Sequence, residues 1–174
     1  MTRPLGTVRR MTAADLARVL RWRNHPDVRA FMFTQHEITP EEHARWFAAA
    51  DADPARRLLI YEREGTPTGF ASLAWSNDAA RADWGFYLAP EAPRGSGADL
   101  GAAVLAHAFG ALGLEAVRGE ALAFNTASIR MHEKLGFRRT GERRQPGEHG
   151  AGDHAVICFQ LQREDWSGIS PAGT

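Results

Sequence analysis

The chain has 174 residues and an apolar fraction of 44%, enough for one globular domain with a sizeable core. Its 21 basic and 21 acidic side chains cancel, and no apolar run is long enough to span a bilayer, so nothing global argues for a nucleic-acid or membrane partner. The single cysteine, Cys158, excludes an internal disulfide, and the seven histidines lack metal-ligand spacing.

The opening MTRPLGTVRR has no apolar run of a signal peptide, which leads us to expect a cytoplasmic protein. Residues 7–11 read as a short strand. Thr12 then caps a helix over 13–25, with Leu16, Val19, Leu20 and Arg23 at helical spacing, and Pro26 interrupts it. A second short helical turn is expected over 27–33. The next helix begins within 38–54, where Thr39 is the cap, Pro40 the first helical residue and Glu42 the partner of a capping box. Trp46 and Phe47 should face its core side.

Strands follow over 56–64 and 69–76, joined by the turn EGTPTG, and over 83–89, which Pro90 stops. Residues 92–99 form a glycine-rich loop. The stretch 100–113 is an amphipathic helix with Leu100, Val104, Ala108 and Leu112 in register. A strand over 114–124 leads to a helix that Asn125 caps and Gly136 ends. A last hairpin pairs 137–145 with 153–162, placing Cys158 in a buried strand, and 167–174 should be a disordered tail. The order β-αα-βββ-α-β-α-ββ implies one α/β domain over 1–166, of the α+β kind, with a mixed sheet and helices on its faces.

Two stretches carry chemistry. In DWGFYLAPEAPRGSGADLGAAVL a strand runs through Gly95, Gly97 and Gly101 into a helix, and free N–H groups at a helix start can hold an anion. No Gly-Lys-Ser/Thr follows, so this is not a P-loop. A plain flexible turn is an equal reading of the loop alone. In NTASIRMHEKLGF, residues Ile129, His132 and Leu135 fall three apart on a face that should be buried. A lone histidine there is more often a bonded core residue than a catalyst. The parallel crossover nevertheless brings the glycine loop, two strand ends and His132 to one edge of the sheet, where ligands tend to bind.

Strand, Arg-Gly-x-Gly loop, helix, strand and NTASIRMHEKLGF together resemble the acetyl-CoA-dependent N-acetyltransferases of the GNAT superfamily. The resemblance implies a splayed, mostly antiparallel seven-stranded sheet flanked by about four helices. It implies that acetyl-CoA lies along Phe86, Tyr87 and Leu88, that Arg94, Gly95, Ser96, Gly97 and Ala98 hold its pyrophosphate, and that Asn125 borders it. Asp99 departs from the family's loop, which shifts the expected contacts toward Gly101. His132 stands where the family usually has a tyrosine thought to protonate the departing thiolate, so the resemblance makes it the general acid.

The run RWRNHPDVRAFMFTQHEITPEEHARWF, 21–47, is similar to the subfamily that acetylates the 4-amino group of a UDP-linked 4-amino-4,6-dideoxy sugar in pseudaminic acid synthesis. That similarity places Trp22, Arg23, Met32 and His43 on the sugar-nucleotide side, with Ser72 from the third strand. Glu120 would point at the amine as base, with His43 as its rival. Two other readings stay open: acetylation of a protein N-terminus or another small amine, and a non-catalytic CoA-binding sensor, which the missing tyrosine and Asp99 motivate. A homodimer through the final strands is implied by resemblance only.

Overall fold

Three local caps start helices where the sequence signals them. Thr12 and Asp15 form a capping box, with the Thr12 N–H donating to the Asp15 carboxylate at 2.9 Å. Thr39 and Glu42 do the same at 3.1 Å in each direction. The Asn125 side chain accepts the Ser128 N–H at 3.2 Å. The computed structural model describes residues 6–75 and 78–168; most of the expected tail, 169–174, lies outside them.

After a 3-10 turn at Ala13–Asp15, the helices are α1 (Leu16–Asn24), α2 (Pro26–Arg29), α3 (Pro40–Ala52), α4 (Ser96–Phe109) and α5 (Thr126–Lys134). That is five rather than four. Helix α2 is also shorter than the expected turn over 27–33. Turn bonds carry the chain on through Met32, and beyond it the backbone finds side-chain partners: Arg23 donates to the Thr34 carbonyl, Glu148 accepts the N–H groups of Gln35 and His36, and Asn24 pairs with both polar groups of Ile38. Residues 30–39 therefore run as an irregular strap.

The strands are β1 (Thr7–Arg10), β2 (Arg56–Arg63), β3 (Thr66–Trp75), β4 (Arg81–Leu88), β5 (Ala116–Leu122), β6 (Arg138–Gln145) and β7 (His154–Gln162), in the sheet order β1-β2-β3-β4-β5-β7-β6. Every neighbouring pair is antiparallel except β4 and β5. Met11, Val19, Trp22, Ile60 and Phe70 build a core under α1 and α3, with Trp46 and Phe47 packed against it. Leu100, Val104, Leu105, Val117 and Phe159 build the larger core on the α4 and α5 face. Among the described residues no helix is long and apolar enough to cross a membrane.

The parallel pair is short. β4 and β5 are in register only at Arg81–Asp83 against Ala116–Arg118, and then the strands part. Beneath the parting lies His132, fully buried. The indole N–H of Trp84 donates to its Nε2 at 3.0 Å, and its Nδ1 lies 2.8 Å from the Ser128 carbonyl. The ring stacks on Phe159 at 4.6 Å and meets Phe137 edge-on at 5.0 Å. Gly119 of β5 passes directly over this bond: a Cβ there would stand 2.5 Å from both His132 Nε2 and Trp84 Nε1. Gly101 plays a similar part between helices, since a Cβ would come within 2.6 Å of Leu135.

Two outcomes follow from this packing. Gly119→Ala should cost about 2 kcal/mol by overpacking, read as a melting temperature lower by roughly 5 °C. Burial also holds the His132 imidazole down to about 4, against 6.5 in an unfolded chain. Below pH 6.5 the unfolded chain binds a proton that the fold refuses until about pH 4. This site's contribution is therefore complete above pH 6.5 and is lost as pH falls toward 4, by roughly 3 kcal/mol in all. Thermal melts across that range should show wild type losing roughly 6–12 °C more than His132→Gln, which cannot titrate.

Candidate active site

The parting of β4 from β5 leaves residues 84–88 with a strand partner, β3, on one side only. Their backbone groups facing β5 are thus available to an extended ligand, as at any open sheet edge. At the end of β4 the chain turns through 89–95 into α4. Gly95 adopts φ of 86°, a left-handed conformation that glycine tolerates, and it caps the helix. Ser96 closes this turn by donating to the Pro93 carbonyl at 2.6 Å, and Arg63 of β2 donates to the Ser96 hydroxyl at 3.1 Å. Gly97 faces Leu88 and Met131, and a Cβ there would meet nothing closer than 3.6 Å. Arg94 is exposed beside the loop. An α-helix N-terminus next to an unpaired strand suits a ligand with a phosphate head and an amide-bearing tail.

The loop departs from the sequence expectation at two places. Asp99 is 4% exposed, so its carboxylate is enclosed rather than presented to solvent at the loop. Gly101 lies in the second turn of α4 against Leu135 and Trp84, where its missing side chain serves helix packing rather than a pyrophosphate.

His132 corrects a larger expectation. A carbonyl can only accept and an indole N–H can only donate, so Nδ1 carries the proton toward Ser128 and Nε2 receives from Trp84. Both nitrogens are spent inside the core. The ring is neutral above about pH 4, and it has no proton aimed at the opening. It cannot serve as the general acid while this arrangement holds.

The other face of the opening is polar. By strand alternation Asp83, Gly85 and Tyr87 of β4, and Arg118 and Glu120 of β5, lie on the α1–α3 side. Ser72 of β3 is in register with Gly85. Glu120 is gripped by Arg143 of β6 in a forked pair, at 2.9 and 2.6 Å. Asp83 pairs with Arg118 at 2.9 Å. Cys158 sits opposite Glu120 in the ladder and is half-buried, not buried as expected; partial burial and the Glu120 charge push its thiol up. Tyr87 packs on Phe70 at 5.0 Å, and burial raises its hydroxyl, so it stays a neutral phenol.

The strap roofs this face. Met32 lies on it half-buried, and Phe31 and Phe33 are exposed, the first 6.0 Å from Phe124 and the second under the Arg143 guanidinium at 5.4 Å. Glu148, before β7, ties the strap down through two backbone N–H groups and the ring of His36 at 3.0 Å. The hydrogen bond to Glu148, with its charge, pushes the His36 imidazole up.

The expected substrate residues divide. Arg23 reaches under the strap, whereas Trp22 beside it is buried in the core at 1% exposure. His43 is 5% exposed, stacks on Trp46 at 5.1 Å, and lines a groove of about 710 Å³ between α1 and α3, none of whose lining residues belongs to β4 or β5. Burial and the Arg23 charge hold its imidazole low. The structure does not bring it together with Glu120. Arg63, Arg143, Glu148, Phe33 and Phe124 were not expected at all. No local pattern marks them, because each acts across the sheet or the strap. Among the described residues no group of three histidine, cysteine or carboxylate side chains could hold a metal.

This geometry has close relatives. The model of the acetyltransferase (GNAT) domain matches residues 7–138. An uncharacterised prophage-derived N-acetyltransferase of Bacillus subtilis, YokL, is 33% identical over 113 residues, a match that spans 63% of this chain and 63% of the relative. Spermidine N-acetyltransferase from Vibrio cholerae, solved with CoA and spermine, superposes with a TM-score of 0.81 at 19% identity, covering 92% of this chain and 97% of that one. The putative acetyltransferase yncA of Salmonella typhimurium, solved with acetyl-CoA, gives 0.72 at 25% identity, covering 91% and 94%. AAC(6')-Ib, solved with ribostamycin and coenzyme A, gives 0.78 at 20%, covering 93% and 96%. With a strand pair that parts after three residues, a left-handed glycine capping the next helix, and a family model spanning most of the chain, this protein belongs to the GNAT acetyltransferase family.

Proposed function

We propose that this chain transfers acetyl from acetyl-CoA to a primary amine by direct attack. The observation that carries the reading is the parting of β4 and β5 next to the N-terminus of α4. The residues present fit the cosubstrate: the backbone of Phe86, Tyr87 and Leu88 would pair with its amide-bearing arm, and Arg94, Gly95, Ser96, Gly97 and Ala98 would hold its pyrophosphate, with Asn125 at the border. Bound there, acetyl-CoA supplies an activated acetyl group.

The chain's own part is positioning and proton management. A free backbone N–H near Leu88 is the donor for the oxygen that gains negative charge. The acceptor nitrogen must arrive neutral, and Glu120 on the acceptor side is the group to take up its extra proton, acting with Arg143 attached. No side-chain acid is needed at the sulfur. The nitrogen loses one proton on becoming an amide and the departing thiol takes one up, so the balance closes with His132 left in the core.

Within that reading, the acceptor we favour is the 4-amino group of a UDP-linked 4-amino-4,6-dideoxy sugar. Its support is the run 21–47 and the strap that this run builds over the opening, with Arg23 and Met32 on it and Ser72 below. Of the other two residues, Trp22 lies in the core and His43 lines the groove between α1 and α3. Edge strand β6 is the surface a homodimer would use.

Thiol release from acetyl-CoA with this sugar nucleotide should be measured in wild type and His132→Gln. Turnover is expected in both, within about threefold, because a glutamine amide oxygen can still accept the Trp84 indole N–H; a loss of roughly a hundredfold in a variant that acetyl-CoA still stabilises as it does wild type would restore the general acid. UDP should raise the melting temperature if the acceptor is a UDP-sugar, and no shift at millimolar UDP would remove that acceptor while leaving acetyl transfer intact.

A further inference from the structure

Large apolar rings gathered in water mark a place where something else packs. Phe31 is 41% exposed, Phe33 38% and Phe124 50%; among the described residues these are the large hydrophobic side chains left exposed, and all three stand on the acceptor side. A closed circuit of contacts joins them. Phe31 lies 6.0 Å from Phe124, and Phe124 meets His154 edge-to-face at 5.9 Å. His154 of β7 is in register with Gln145 of β6, whose side chain accepts from Arg143 at 2.6 Å. The Arg143 guanidinium lies over Phe33 at 5.4 Å, and Phe33 returns to Phe31 across Met32 of the strap.

This dish is continuous with the opening. Arg143 grips Glu120, on the part of β5 that no longer pairs with β4. Phe124 stands just past the end of β5 and directly before Asn125, the cap of α5. A guest lying across the phenyl rings is thus bordered by the same carboxylate that faces the acceptor nitrogen. The wall also selects its guest. Phenyl faces favour another flat ring, offset or edge-on. They attract cations too, but Arg143 already covers Phe33, Glu120 is spent on Arg143, and Glu148 is spent on His36. A second positive charge finds little here to answer it.

We propose that the acceptor carries a neutral planar ring, which Phe31, Phe33 and Phe124 hold while its amine faces the opening. That the ring belongs to the acceptor rests on the acetyl-transfer reading; the platform itself does not. Two sources supply such a ring: the base of a nucleotide, or an aryl group on a simple amine.

Thermal shifts of the protein saturated with CoA test this, since no acetyl group is then present to transfer. UDP is compared with pyrophosphate, phenethylamine with butylamine, and spermidine is run beside them. One ring-bearing ligand should half-saturate at a concentration roughly tenfold below that of its ringless counterpart, and the pair that responds identifies the source. The double variant Phe31→Ser, Phe124→Ser should bring that ratio near one, whereas Phe124→Trp should keep it. A ratio of two ligands on one variant is indifferent to what the substitution costs the fold. Equal affinity within both pairs, tighter binding of spermidine than of either ring, or an unchanged ratio in the double variant overturns the inference. A double variant altered only in its sedimentation gives the patch to a second copy of the chain and overturns it as well. Ring-dependent binding with no thiol release from acetyl-CoA, on these amines or on the amino-sugar nucleotide, keeps the platform and overturns acetyl transfer instead.

Discussion

The hydrogen bond from the Trp84 indole to His132 is the contact on which the opening depends. A sheet gains by pairing every backbone group, and an unpaired stretch inside it is costly unless something else supports it. Here β4 and β5 stop pairing after Asp83, although both continue for several residues. The space under the parting is filled by an imidazole, an indole and two phenyl rings, Phe137 and Phe159. Gly119 lets these rings approach β5, and Gly101 lets α4 close on Leu135 of the next helix turn. The opening is thus held from below by a packed aromatic cluster whose polar atoms are all satisfied.

That use of the imidazole limits the chemistry. A ring that donates to a helix carbonyl and accepts from an indole is a fixed structural part, and keeping it neutral is a condition of burying it. A tyrosine at the same helix position would bring one hydroxyl; the histidine brings two nitrogens, and the core takes both. Proton traffic must then run through the acceptor nitrogen and the polar face, where Glu120 and Arg143 stand. The two faces of the sheet divide the labour, with rigidity on the α4–α5 side and charge on the α1–α3 side.

Much of the first side was legible in the sequence. Asn125, Gly136 and the spacing of Ile129, His132 and Leu135 fix α5 and its buried face, and the glycine loop fixes the start of α4. Those signals are local, carried by caps and periodicity. Gly101 was misread because a glycine near a phosphate loop and a glycine between two helices look alike until Leu135 is placed against it. His132 was open to both readings because the residue that decides between them, Trp84, is 48 positions away. The course of the strap was hidden for a similar reason: Glu148 holds Gln35 and His36 from more than a hundred residues further on.

The acceptor side was legible only by resemblance, and the physical cause is its construction. Its strap comes from 30–39, its floor from β3, β4 and β5, and its far wall from β6, Phe124 and Glu148. The strap, β3 and β4, β5 with Phe124, and β6 with Glu148 come from four separate stretches of chain, so no spacing rule reaches across them. The same construction frees the acceptor face from the opening. A change in Arg143 or in the strap alters what the site can hold without touching the Trp84–His132 bond that keeps β4 and β5 apart. The shared fold therefore says where an acetyl group can be handed over. The state of each charge on the opposite face says to what.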